Sequence, residues 1–263
     1  MKIEQMSVVL TGAAGGIGSA AARALTNAGA RVVLVGRNPE RLAALRQALP
    51  RPAAVTMVAA DVTRTEGRAA IHAAALAQGA NVLINNAGLP CFGKLEALDA
   101  DQIVRALETN LLAPMLLTRL LLPHLRVQPA AQILNVGSAL GSVGLPGFSV
   151  YSAAKFGLRG FSEALRRELQ GSPVTVQYLA PRVTRTAFND EAADAFNRAT
   201  GAQSDSPEQV AQALVQTLRR GTPERLLGFP EKLAARINGI VPHLLDGAFR
   251  RHRSALQSSR QPA

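Results

Sequence analysis

The strongest constraint on this chain is a rhythm. Short apolar runs at 7–11, 31–35, 54–59, 81–85, 131–137, 173–180 and 224–228 alternate with longer segments. Those longer segments, at 17–29, 39–49, 65–78, 99–126, 150–170 and 206–220, carry a helical period. Most of the short runs are apolar at every position, as a strand must be when both its faces are covered. Strict β-α alternation with doubly buried strands predicts an α/β fold: a doubly wound parallel sheet of about seven strands with helices on both faces. In such a sheet, ligands bind at the carboxyl ends of the strands, beside the point where strand order reverses.

The first of those ends carries a glycine turn, Thr11-Gly12-Ala13-Ala14-Gly15-Gly16-Ile17-Gly18, between strand one and helix one. One glycine permits the tight turn, a second lets backbone approach a pyrophosphate, and a third lets the helix pack closely on the strand. The helix N-terminus adds free N–H groups and partial positive charge. This placement predicts a Rossmann-like dinucleotide site. Strand two ends Val35-Gly36-Arg37-Asn38. An acidic residue there would bind a ribose 2′-hydroxyl, whereas an arginine without a carboxylate suits a 2′-phosphate. NADP(H) is the expected cofactor.

The chain has 263 residues, a length that suits one domain. Residues 1–229 are expected to form it, with 187–215 as its substrate loop. That loop carries five acids and Arg198, net −4, and is the expected mobile lid. Residues 230–263 form a basic C-terminal extension, expected to pack on the same domain and to be disordered after 253. In the extension Leu233, Ile237, Ile240, Val241, Leu244, Leu245, Ala248 and Phe249 recur at helical spacing, and Pro242 should kink or split the helix. Such a helix can lie on a membrane, grip an acyl substrate, or pack on its own domain or a second subunit.

Several broad classes are disfavoured. Cys91 is the lone cysteine, which rules out an internal disulfide and any multi-cysteine metal site; no metal is expected. Residues 111–125 are interrupted by Pro114, Arg119, Pro123 and His124, so they fall short of a membrane span. The N-terminal stretch lacks signal-peptide features, so a cytoplasmic protein is expected, with peripheral membrane contact left open. The net charge of +11 invites a nucleic-acid reading, but aromatic interleaving and a reading motif are missing, so no nucleic acid is expected.

Two tyrosines occur in the whole chain. One opens Tyr151-Ser152-Ala153-Ala154-Lys155, where the i, i+4 spacing puts Tyr151 and Lys155 on one helix face. A nearby ammonium should lower the phenol pKa. Ser138 follows the strand ending Leu134-Asn135-Val136-Gly137, where the cofactor should lie.

With these residues in place, the sequence resembles the short-chain dehydrogenase/reductase family over roughly 6–228. The matching features are the glycine turn at 11–18, Asp61-Val62, Asn85-Asn86-Ala87-Gly88, Asn110, Ser138 and Tyr151 to Lys155. The resemblance implies that Tyr151 is the general acid or base and that Lys155 tunes it and bonds the nicotinamide ribose. Ser138 would orient the substrate carbonyl, and Asn110 would hold a water in a proton relay. Asp61 and Val62 would contact adenine, Asn86 to Gly88 would brace the sheet beside the cofactor, and Pro181, Thr184 and Thr186 would flank the nicotinamide. It also implies a homodimer or homotetramer.

Arg182 stands where the family has glycine. It or Arg185 could touch a cofactor phosphate or an anionic substrate, or Arg182 could face solvent. Val143, Leu145, Phe148, Phe188 and Phe196 predict an apolar substrate pocket. The expected substrate is a hydrophobic ketone or aldehyde of acyl, lipid-like, steroid-like or retinoid-like kind. A carrier-bound acyl chain is one form, with Arg167 as a contact for an acidic carrier or as a surface partner of nearby glutamates. The competing reading is a cofactor-binding interaction or regulatory protein without turnover.

Overall fold

A computed structural model describes residues 1–258. Its centre is a parallel seven-stranded sheet in the order β3-β2-β1-β4-β5-β6-β9. The strands are β1 (Ser7–Thr11), β2 (Arg31–Gly36), β3 (Val55–Ala59), β4 (Val82–Asn85), β5 (Ala131–Val136), β6 (Val174–Ala180) and β9 (Glu224–Leu226). Between β6 and β9 lies a separate two-stranded pair, β7 (Val183–Thr184) and β8 (Ser204–Asp205), which the apolar pattern does not signal. Two residues are too few to show a period.

Alternation along each strand explains the continuous apolar runs. In β1, Val8 and Leu10 enter one core while Val9 enters the other. In β2, Val32 and Leu34 face the first core and Val33 and Val35 the second. Each such side chain, fully buried, contributes about 1.5–3 kcal/mol. The first core is closed by α1 (Gly16–Asn27), α2 (Pro39–Gln47) and α8 (Pro207–Arg220). The second is closed by α3 (Thr65–Ala77), α5 (Ala113–Arg126) and α6 (Ser149–Glu168). Strand order reverses at β1, whose neighbours are β2 and β4, so the crevice opens above these three.

Some expected elements change. The helix at 99–126 is two helices, α4 (Ala100–Leu107) and α5, joined by a π-helical turn at Glu108–Leu112. The lid is partly ordered by α7 (Glu191–Thr200), capped by Asp190 at its N-terminus and by left-handed Gly201 at its C-terminus. The extension forms α9 (Phe229–Ile240), a 3-10 turn at Pro242–Leu245 and α10 (Arg250–Ser258). The stretch expected to be disordered after 253 is helical as far as Ser258, and the rest of that expectation lies outside the described residues. Ala255 and Leu256 pack against the Phe148–Phe196 cluster, and Arg251 donates to the Ala199 carbonyl at 2.8 Å. The single apolar stripe is corrected too. Because α9 stops before Pro242, Leu233, Ile240 and Leu244 face outward, while Ile237, Val241 and Phe249 are partly buried.

Candidate active site

The glycine turn is shaped by contacts that exclude side chains. Gly12 has φ +64°, and a Cβ there would lie 2.8 Å from the Ala87 Cα. A Cβ on Gly18 would overlap the Gly12 carbonyl oxygen, and one on Gly16 would overlap Thr186. The turn at Asn86 to Gly88 braces this region. The Asn86 amide donates to the Thr11 carbonyl at 2.9 Å and the Gly12 carbonyl at 3.2 Å. The Thr11 hydroxyl accepts from the Asn86 and Ala87 N–H groups at 2.9 and 3.0 Å. What this leaves open is a bare backbone concavity at the N-terminus of α1, suited to a phosphate.

A cavity of about 1090 Å³ runs from this turn across the carboxyl ends of the strands. Its far cofactor-side wall holds Arg37, Arg41 and Arg64. Arg41 donates to the Ala14 carbonyl at 3.1 Å, which lays its guanidinium across the glycine turn. Asn38 caps α2 by accepting from the Arg41 N–H at 2.8 Å. Sequence reasoning missed Arg41 and Arg64; the first-turn position of Arg41 on the helix after Arg37 was the available signal. Asp61 and Val62 line the same wall. Partial burial pushes the Asp61 carboxyl up, but hydrogen bonds from Thr63 and the charges of Arg37 and Arg64 more than offset it and hold its pKa below the usual range.

Ser138, Tyr151 and Lys155 all line the cavity beside the end of β5. The Ser138 hydroxyl accepts from the Leu140 N–H at 3.1 Å. Tyr151 lies in the first turn of α6, and Lys155 follows one turn later on the same face. The Lys155 ammonium donates to the Val136 carbonyl at 3.1 Å and sits 5.6 Å from the Tyr151 ring centroid. The expected lowering of the phenol pKa is not what the protein alone shows. Burial pushes Tyr151 up to about 12, and hydrogen bonding with Ser138 offsets only part of that. Burial also pulls Lys155 down to about 8. The amine is engaged with the Val136 carbonyl, and desolvation of the phenolate dominates.

The other tyrosine holds this arrangement from behind. Tyr178, on β6, is 1% exposed, and its ring tip fills the space where a Cβ on Gly137 or Gly141 would sit. Its hydroxyl accepts from the Ser138 N–H at 3.4 Å and lies 3.4 Å from the Lys155 carbonyl. The signal was two glycines flanking Ser138, which leave room for one large ring.

Asn110, expected among the catalytic residues, does not line the cavity. It is fully buried in the π-helical turn. Its amide donates to the Leu89 and Ala106 carbonyls at 2.8 and 2.9 Å, and its oxygen accepts from the Leu89 N–H at 3.1 Å. With its side chain so engaged, it positions the loop after β4.

The side of the cavity away from the glycine turn carries a cluster of apolar side chains. Val143, Leu145, Phe148 and Phe188, the residues expected to form an apolar pocket, line this side of the cavity, with Cys91 in the wall. Burial raises the Cys91 thiol pKa, so it is not a poised nucleophile. Phe196 is corrected: it packs behind the wall against Phe92 and Phe148, with ring centroids 5.1 and 5.8 Å away. Pro181, Thr184 and Thr186 line the cavity, and so do Ala234, Phe249 and His252 of the extension, which sequence reasoning did not place there.

Arg182 lines the cavity and is held by the protein, not turned to solvent. Its guanidinium donates to Asp205 through Nε at 3.0 Å and Nη2 at 2.7 Å, and to the Gln203 oxygen at 2.7 Å. Glu231 of α9 stands 4.0 Å away. Arg185 is likewise turned aside, onto Ser204. Arg182 thus ties the strand after β6, the returning end of the lid and the extension together. Arg167, the expected carrier contact, pairs with Glu163 on the surface of α6. Among the described residues, no cluster of three His, Cys, Asp or Glu could hold a metal, and no helix is long and apolar enough to cross a membrane.

Comparison with known proteins agrees with this geometry. The short chain dehydrogenase family matches residues 6–196. The ketoacyl reductase HetN of Nostoc is 32% identical over 254 residues, covering 93% of this chain and 88% of the relative. A Burkholderia cenocepacia short chain dehydrogenase in complex with NADP superposes with a TM-score of 0.80 at 26% identity, covering 95% of this chain and 99% of that one. A 3-ketoacyl-(acyl-carrier-protein) reductase of Brucella melitensis complexed with NADH gives 0.76 at 25% identity, covering 85% and 96%. The chain belongs to the short-chain dehydrogenase/reductase family of oxidoreductases.

Proposed function

We propose that this protein is an NADPH-dependent reductase of a hydrophobic ketone or aldehyde. The observation that carries the reading is one continuous cavity with two unlike ends. Ser138, Tyr151 and Lys155 stand at its centre, an apolar wall lies on one side, and Arg37, Arg41 and Arg64 lie on the other.

The residues fit a dinucleotide phosphate. The glycine turn offers backbone where side chains cannot fit, and three arginines supply charge-assisted donors for a 2′-phosphate with no carboxylate at the end of β2 to repel it. When bound, NADPH supplies the hydride. The protein's own groups do the rest. Ser138 donates a hydrogen bond to the carbonyl oxygen as negative charge develops there. Tyr151, kept protonated by burial, transfers its proton to that oxygen, so hydride and proton together complete the alcohol. Lys155, already beside the ring, is placed to bond the ribose and to favour the phenolate left behind. The apolar wall and the overlying lid exclude water.

The ketoacyl reductases among the relatives support a β-ketoacyl or similarly apolar substrate. Exposed Leu112, Met115 and Phe156, on neighbouring outer surfaces of the π-helical turn, α5 and α6, support a homo-oligomer. The test is oxidation of NADPH and of NADH against a panel of ketones and aldehydes graded in chain length. Preference for NADPH and for longer apolar chains is expected. Equal use of both cofactors would overturn the cofactor assignment, and turnover confined to small polar carbonyls would overturn the substrate class.

A further inference from the structure

The extension has two faces with unlike partners. Its inner face is committed to the protein. Glu231 stands by Arg182, Asn238 donates to the Ser142 carbonyl at 3.0 Å, and Ala234 lines the cavity. Its outer face carries Phe229, Leu233, Arg236 and Ile240. Spacings of four, seven and eleven residues bring these four onto one side of α9. Phe229 is 79% exposed, Leu233 53% and Ile240 82%, and Leu244 in the following turn is 64% exposed. The inner contacts fix the rotation of α9, so these side chains cannot turn inward.

Charge identifies the occupant. Between residues 229 and 258 there are five cationic side chains, Lys232, Arg236, Arg250, Arg251 and Arg253. Lys232 and Arg236 are exposed on or beside the apolar row; the three arginines of α10 are exposed too, with Arg251 donating to the Ala199 carbonyl. The acids in this stretch are Glu231 and Asp246, and Glu231 lies beside Arg182. A second copy docked through the same face about a twofold axis would set cations against cations, which costs energy. Apolar side chains flanked by Lys232 and Arg236 match an anionic lipid surface, where the rings and aliphatic chains enter the headgroup boundary and the cations meet phosphate.

We propose that the outer face of α9 and the Pro242–Leu245 turn dock this protein peripherally on an anionic bilayer. The inner side of the same helix forms cavity wall, so docking would bring the cavity close to lipid-dissolved apolar compounds. The binding itself does not depend on the reductase assignment and is tested without turnover.

The experiment is co-sedimentation of the full chain with phosphatidylcholine vesicles, with and without phosphatidylglycerol. Binding to the anionic vesicles is expected to be at least about tenfold stronger, and to weaken as salt is raised. A Phe229→Ser/Leu233→Ser/Ile240→Ser variant should lose vesicle binding while keeping its melting temperature. A Lys232→Glu/Arg236→Glu variant, which leaves the apolar row intact, should lose the preference for phosphatidylglycerol. Three outcomes overturn the proposal. One is equal or absent binding to the two vesicle types. Another is unchanged binding by either variant. The third is a dimer in sedimentation velocity that the serine variant splits while vesicles bind neither form, which would make a second copy the occupant.

Discussion

The two halves of the cavity are built by different physics. The cofactor half rests on strand ends and on glycines whose missing side chains leave no slack: Gly12 against Ala87, Gly18 against the Gly12 carbonyl, Gly16 against Thr186. The substrate half rests on the Val143–Phe148 loop and on segments that follow β6, and polar ties hold them. Those ties are Arg182 to Asp205, Asn238 to Ser142 and Arg251 to Ala199. Steric exclusion tolerates almost no change, whereas a polar tie can be exchanged for another. A shared cofactor with varied substrates calls for that division.

The reacting centre lies where the halves meet, and its loss should be the largest effect. Tyr151→Phe keeps the ring in contact with Phe148 and Phe188 and removes the proton donor. Turnover should fall by about 10²–10⁴-fold. Cofactor affinity, measured by fluorescence titration, should be unchanged. A matching loss of affinity would mean that the two halves are not separable at this residue.

Lys155 gives the next effect, and on stability it has the opposite sign. It is 4% exposed, and burial takes its pKa from 10.5 to about 8. Below about pH 8 both folded and unfolded chains carry the charge, and the folded one bears the full desolvation penalty. Between pH 8 and 10.5 the unfolded chain holds the proton that the folded chain releases, so stability rises with pH across that window. Lys155→Met should therefore raise stability at pH 7 by up to about 3 kcal/mol. The gain should shrink above pH 8 and vanish near 10.5, as thermal melts across this range would read. Turnover should be lost in the same variant, because a site that needs a buried charge trades stability for function.

How far the sequence foretold this follows the same division. The sheet and the glycine turn were legible because strand burial and turn geometry are local rules; helix spacing joined only Tyr151 to Lys155, and Ser138 came into the group through the family resemblance. Tyr178 was not, since its role depends on β6 lying beside the Gly137–Gly141 segment. The hold of Asn110 on Leu89 was not legible either, since its partner lies 21 residues away in the loop after β4. Arg182 looked like a cation near a phosphate because Asp205, 23 residues on, has no local signature as its partner. The apolar period of the extension continued past Pro242, so composition alone could not divide it into inward and outward residues.

The cofactor half itself is sharpened by Arg37→Ala. A charge-assisted hydrogen bond to phosphate is worth about 1.5–3 kcal/mol, so NADPH affinity should fall roughly 10- to 100-fold while NADH affinity holds. Steady-state KM values for both cofactors on one substrate read this directly. A loss toward the low end of that range would show Arg41 and Arg64 sharing the phosphate, and an equal loss for both cofactors would place Arg37 in the shape of the site instead.

The smallest effect belongs to the extension, and it decides whether the substrate half ends at the lid. Asn238→Ala removes one hydrogen bond, from α9 to the Ser142 carbonyl, in the loop that leads to Val143 and Phe148. Such a bond is worth about 1 kcal/mol, or roughly fivefold in an equilibrium. If α9 is part of the substrate wall, as the placement of Ala234 implies, KM for an apolar ketone should rise by about that factor, with kcat and NADPH affinity unchanged. A small drop in melting temperature with no change in KM would confine the helix to a structural role. The substrate half would then consist of the Val143–Phe148 loop and the lid alone.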